Sequence, residues 1–198
     1  MPHAIDPANP MHAIYWAWAI WYASWIASLF WSGRPAAKPR MRAHAANQLA
    51  TILGVLLLFW LPSWHTPYAQ LWTPAPWGIW MLFALVVLAF AFCWWARIVM
   101  GRLWSGFVSR TDDHRVIDTG PFALVRHPIY AAIAFAAFST AVAQATAAGL
   151  AGAACLTLGF WLKARLEERF LIRELEAGAY DSYRRRVPML IPFWPKSA

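Results

Sequence analysis

Long uncharged runs alternate along this chain with short basic stretches, and the runs are long enough to predict helices that cross a membrane. Residues Ile14 to Trp31 are apolar or small throughout. At a rise of ~1.5 Å per residue they cross a hydrocarbon core of about 30 Å. A second run, Leu49 to Leu61, is short by itself and needs Ala45 to Gln48 or Pro62 to Trp64 to complete a span. Trp77 to Ala96 gives twenty uncharged residues between Pro76 and Arg97, the clearest span of all. Pro128 to Leu162 adds 35 more without a charge. As one helix these would reach ~52 Å, too long for one ordinary crossing and enough for two short ones. The small and polar residues from Gln144 to Gly149 mark the turn between them. Lys163 to Glu176 keeps good helix formers, with Leu166, Phe170 and Leu175 near helical spacing, so the last helix is expected to run on past the membrane. The fold class expected is therefore an all-α integral membrane protein of about five transmembrane helices with a cytoplasmic C-terminal segment.

Charge placement tests that count independently. All seventeen Lys and Arg residues fall in three groups, Arg34 to Arg42, Arg97 to Arg126 and Lys163 to Lys196, while Met1 to His12, Pro62 to Pro76 and Gln144 to Gly149 hold none. Positive residues favour the cytoplasmic side. Five spans then put the N-terminus outside and the C-terminus, with any active site near it, in the cytoplasm, as in a prokaryotic inner membrane. The leader Met1 to His12 lacks the basic residues of a cleaved signal peptide, so the first run is expected to be retained. Tryptophans at run ends, among them Trp60, Trp64, Trp77, Trp80, Trp94 and Trp95, suit the interfacial belts of a membrane protein.

Composition narrows the function classes. The chain is 61% hydrophobic and 13% charged, against about 25% charged for soluble domains. A net charge of +8 fits juxtamembrane Lys and Arg beside anionic lipid better than a nucleic-acid surface. Cys93 and Cys155 sit inside apolar runs with no metal-ligand spacing, so zinc and disulfide chemistry are not expected. No linker or repeat divides the chain, and residues 1–198 read as one domain, with three spans in 1–100 and the chemistry in 101–198.

Polar residues are so scarce that two segments must carry any reaction. The first is Thr119-Gly120-Pro121-Phe122-Ala123-Leu124-Val125-Arg126-His127-Pro128-Ile129-Tyr130. Gly120-Pro121 favours a turn, and Pro128 suits the first position of a helix. Free amides at that helix start, with Arg126 and His127, would make an anion site. The plainer reading has Arg126 meeting lipid headgroups and His127 capping the helix. The second segment runs Glu167-Glu168-Arg169, then Tyr180, Tyr183 and Arg184-Arg185-Arg186-Val187-Pro188. Two carboxylates at the C-terminal end of a helix oppose its dipole, which a bound cation would explain. Alternatively Glu167 pairs with Lys163 one turn back, for only ~0.5 kcal/mol.

Taken together, Gly120-Pro121-Phe122, Arg126-His127-Pro128-Ile129-Tyr130, Glu167-Glu168, Leu171, Tyr180-x-x-Tyr183 and Arg186-Val187-Pro188 resemble, in order and spacing, the isoprenylcysteine carboxyl methyltransferase family and related membrane phospholipid methyltransferases. Trp104-Ser105-Gly106 adds to the likeness. The chain departs from the family pattern in having Ala132 where glycine is usual and one extra residue before Tyr180.

The resemblance implies methyl transfer from S-adenosylmethionine to an amphiphilic acceptor, with S-adenosylhomocysteine as product. The expected reaction is carboxyl O-methylation of an isoprenylcysteine-like substrate. It implies cofactor contacts at Leu124, Val125, Arg126, His127, Pro128, Tyr130, Tyr180 and Tyr183, and a catalytic group of Arg186, Glu167 and Glu168. In this scheme Arg186 orients the acceptor carboxylate, and His127 or a glutamate would serve as base for an amine or phenol. Rival readings are a phospholipid or other lipid N- or O-methyltransferase, an NADPH-dependent membrane reductase of related architecture, and a non-catalytic membrane protein or transporter.

Overall fold

A computed structural model of the chain describes residues 10–31, 45–60, 70–101, 117–174 and 179–193. Its regular elements are all helical: α1 (Pro10–Ala27, continued by a 3-10 turn Ser28–Trp31), α2 (Ala45–Val55, closing in a π turn Leu56–Trp60), α3 (Pro76–Met100), a single turn α4 (Pro121–Leu124), α5 (Pro128–Gln144), α6 (Ala147–Glu174) and α7 (Ala179–Arg186). Helices fall where the uncharged runs predict them. The second run takes its extension from Ala45 to Gln48, while Pro62 to Trp64, Trp104 to Gly106 and the extra residue before Tyr180 lie outside the described residues.

Pro76–Met100 and Ala147–Ile172 are long and apolar enough to cross a membrane, whereas Ala45–Trp60 and Pro128–Gln144 are shorter apolar helices. With large apolar side chains such as Ile20, Leu49, Leu88 and Phe135 exposed around the bundle, the protein is an integral membrane protein whose outer surface faces hydrocarbon.

Contacts at the helix ends define two poles. At one, the Gln144 amide donates to Tyr15 Oη at 3.2 Å and to the Leu58 carbonyl at 2.7 Å, and Leu71 N donates to the Ala145 carbonyl at 2.7 Å. The start of α1, the end of α2, the approach to α3 and the α5–α6 turn therefore share this pole. Only Ala145 and Thr146 separate α5 from α6; Ala145 adopts a left-handed conformation, and Thr146 Oγ1 caps α6 by accepting from Gly149 N at 3.0 Å. The other pole gathers the end of α1, the end of α3, α4, the start of α5, the end of α6 and α7. There the buried Arg97 guanidinium donates to the carbonyls of Ser28 and Gly101.

Helix α2 lies along α6 by way of small residues. A Cβ on Gly54 would stand 2.5 Å from Leu156 N, and one on Gly152 would stand 2.6 Å from Leu58 N. Only glycine lets the two backbones approach so closely. Helix α1 instead packs by aromatic faces. Trp21 stacks on Phe90 at 4.9 Å, and Trp18 meets Phe90 edge-on at the same distance. The indole N–H groups of Trp18 and Trp94 donate to Thr140 and Ser24. Trp60, Trp77, Trp80 and Trp95 are exposed, as interfacial anchors should be, but Trp94 turns inward because Ser24 satisfies its donor inside the bundle. Trp64 lies outside the described residues.

Candidate functional site

The two motif segments meet at the second pole. Gly120, with φ of 59°, turns the chain beneath Trp95 and Val99 of α3, and Pro121 then starts the short helical turn α4. Extended backbone at Val125 and a break at His127 bring the chain to Pro128, which opens α5. This path sets Arg126, His127 and Tyr130 against the last turns of α6.

Arg126 is almost wholly enclosed. Its Nε donates to Glu168 Oε1 at 2.7 Å, and Nη1 donates to the carbonyls of Arg184 at 2.8 Å and Val187 at 2.7 Å. Only 1% of its side chain and 7% of that of Glu168 is exposed. The backbone repeats the attachment: Arg126 N donates to Pro188 O at 2.9 Å and His127 N to Met189 O at 3.1 Å. A further tie runs from Tyr183 Oη to the Phe122 carbonyl at 2.7 Å. These bonds strap the C-terminal segment across the Arg-His-Pro loop. The Arg126 guanidinium and the Arg126 and His127 amides are thus engaged within the protein, where they hold α7.

His127 stands between the two carboxylates, with Nε2 3.3 Å from Glu168 Oε1 and Nδ1 3.5 Å from Glu167 Oε2. Tyr130 donates its hydroxyl to Glu167 Oε1 at 2.6 Å. Its ring stacks on His127 at 5.5 Å and on Phe160 at 5.1 Å. Glu167 therefore bonds across to α5, not back along its own helix to Lys163, whose Nζ lies 5.2 Å from the centre of the Tyr130 ring. Glu167 is also the more open carboxylate, with 19% of its side chain exposed.

Tyr180, Tyr183 and Val187 form a small buried cluster with Leu171. Burial pushes the Tyr180 phenol far above its ordinary value, with the Glu168 charge adding to the rise and Arg126 opposing it. Burial likewise raises the Tyr183 phenol, against the pull of Arg126. Both phenols stay neutral beside the ion pair.

The remaining site candidates divide. Val125 and Pro128 are buried, and Leu124 is exposed at the end of α4. Arg186 stands apart from the His127–Glu167–Glu168 group: its side chain is 62% exposed and Nη2 is 3.2 Å from Asp118 Oδ2. Sequence reading missed Phe160 and took Lys163 only as an ion-pair partner for Glu167. Both lie one or two turns before Glu167 on α6, and that i, i+4 and i, i+7 spacing was the available signal.

Residues 81–173, just under half of the chain, match the model of the isoprenylcysteine carboxyl methyltransferase family. Over these residues the chain is similar to that family. The matched stretch takes in most of α3 and all of α4 and α5, and ends near the end of α6, so it holds Arg126, His127, Tyr130, Glu167 and Glu168. Tyr180, Tyr183 and Arg186 lie beyond it. No curated protein matches the chain. The match supports a membrane methyltransferase of that type.

Proposed function

We propose that the protein transfers a methyl group from S-adenosylmethionine to the carboxylate of an amphiphilic, isoprenylcysteine-like acceptor at the pole where α5, α6 and α7 meet. The observation that carries this reading is the corner of His127, Tyr130 and Glu167, set inside the stretch that matches the family.

The residues present suit the cofactor. A flat stack of His127, Tyr130 and Phe160 offers aromatic faces for an adenine or a cation. Glu167, partly open and with one oxygen only loosely engaged by His127 at 3.5 Å, can accept an ammonium. Glu168 is committed to Arg126 and His127, so its role is to hold the loop and α7 in place. When bound, S-adenosylmethionine supplies the methyl group as part of a sulfonium cation.

The protein's task is then alignment and exclusion of water. A carboxylate acceptor is ionised at neutral pH and needs no base, which suits a site whose histidine is flanked by two carboxylates. Arg186, exposed beside Asp118, is the cation an approaching head group meets on the rim. The acceptor enters laterally, because the surrounding helices expose apolar side chains to lipid. A tail already dissolved in the bilayer gains little on transfer to a greasy pocket, so the head group decides selectivity.

Purified protein should bind S-adenosylhomocysteine in calorimetry and show no thermal stabilisation by NADPH. A labelled-methyl assay should favour prenylcysteine analogues over phospholipids and small water-soluble acids. Stabilisation by NADPH alone would overturn the reading, and preference for a phospholipid amine would change the acceptor class.

A further inference from the structure

A carboxylate ligand entering this site meets two glutamates and needs a cation. Three of the arginines at this pole are turned elsewhere. Arg126 is enclosed by Glu168 and the carbonyls of Arg184 and Val187. Arg186 lies on the exposed rim with Asp118, and Arg165 lies over the Trp161 ring at 4.8 Å.

Lys163 differs from all three. It is half-buried, one turn before Glu167 and three residues after Phe160, and its Nζ lies over the ring of Tyr130. No carboxylate among the described residues lies within ion-pair distance of it, although Glu167 is at helical spacing. Sixteen residues beyond the start of α6, or ~24 Å along the axis, Lys163 is near the level where a long side chain could reach water by extending outward. Its ammonium is directed instead onto the ring that also touches His127 and Glu167.

We propose that Lys163 is the cation that receives a substrate carboxylate in this site. The inference rests on the methyltransferase reading and deepens it. Two reactants carry such a group, the acceptor and the amino-acid portion of the cofactor. Lys163 stands one helical turn from Glu167, so a ligand could place its carboxylate on the lysine and its positive group on the glutamate. The flexible stem lets Nζ leave the Tyr130 face for an anion without moving α6.

The test is calorimetry on the full protein in lipid nanodiscs, with Lys163→Met and Lys163→Arg. The ligands are S-adenosylhomocysteine, its decarboxylated analogue, a prenylcysteine acid and the matching carboxamide. Lys163→Met should weaken one of the two acids by about tenfold or more and leave its carboxylate-free counterpart unchanged, with Lys163→Arg restoring most of the loss. Whichever acid responds identifies the source of the carboxylate. Equal affinity of Lys163→Met and wild type for both acids, or an equal loss for the carboxylate-free ligands, would overturn the inference while leaving the methyltransferase reading intact. Wild-type protein that binds none of the four would overturn both.

Discussion

Arg126 and Glu168 meet at 2.7 Å between the Arg-His-Pro loop and α6, and the same guanidinium bonds the Arg184 carbonyl of α7 and the Val187 carbonyl just beyond it. One buried cation thus joins three segments far apart in the chain. Arg126→Ala would leave Glu168 enclosed without its main partner, at a cost of about 3–5 kcal/mol. We expect a markedly lower unfolding temperature in detergent and faster hydrogen exchange at the amides of 180–189. Removing both charges in Arg126→Met with Glu168→Met should recover part of the stability. An Arg126→Ala protein as stable as wild type would show that the strap does not depend on this pair.

The two adjacent glutamates should behave differently. Glu167 is partly open and bonded to Tyr130, whereas Glu168 is enclosed by Arg126 and His127. Glu167→Gln should therefore lower S-adenosylhomocysteine affinity by about tenfold, the effect of one charge-assisted hydrogen bond, with little change in unfolding temperature. Glu168→Gln should do the reverse, lowering stability first. Calorimetry and thermal unfolding on the two variants check the assignment, and the opposite pattern would exchange the roles.

The helices and the site differ in how far they can be read from sequence. Uncharged runs gave the positions of α1, α2, α3, α5 and α6, and the small residues after Gln144 gave the turn, because solvent and helix length act on side chains directly. Proximity of the Arg-His-Pro loop to Glu167 and Glu168 followed from the family resemblance, since nothing in local spacing joins residues 126 and 168. What Arg126 does was hidden. Three of its bonding partners are a carboxylate on another helix and two backbone carbonyls, and every residue has a carbonyl, so composition carries no mark of them. Arg186 was hidden for a related reason. Three consecutive arginines on one short helix point in different directions, and only packing decides which one faces Asp118.

Glycines at the α2–α6 contact offer a test of packing away from the site. A Cβ on Gly152 would stand 2.6 Å from Leu58 N and 2.9 Å from the Gly54 carbonyl oxygen. Backbone cannot yield as a flexible side chain can. Gly152→Val should cost about 1–3 kcal/mol through forced separation of the helices, read as a lower unfolding temperature in nanodiscs. Gly78→Ala, with open space around its Cβ, is the control and should leave stability near wild type.

Membrane orientation can be checked by reporter fusions after Trp72 and after Ala198. Leu71 bonds to the α5–α6 turn at one pole of the bundle, whereas α7 packs at the other. With the basic groups drawn to the cytoplasm, the first fusion should report outside and the second inside. The same location for both would break the five-span topology.

The buried tyrosines of α7 predict a pH dependence with a definite sign. Burial raises the phenols of Tyr180 and Tyr183 above their ordinary value, so the folded protein keeps two protons that the unfolded chain releases near pH ~10. Where the folded state binds more protons, stability falls as pH rises. Their contribution is therefore complete below about pH 10 and is lost progressively above it, towards the higher folded values. Wild-type unfolding temperature should drop more steeply above this pH than that of Tyr180→Phe with Tyr183→Phe. The double variant starts lower, because it lacks the bond from Tyr183 to the Phe122 carbonyl, so the slope and not the starting value is the readout. Absorbance near 295 nm, which follows phenolate, supplies an independent check: the wild type should gain a late step, coincident with unfolding, that the variant lacks. Parallel slopes and identical titrations would mean that these two phenols are open to water, and that α7 does not close over the Arg126–Glu168 pair.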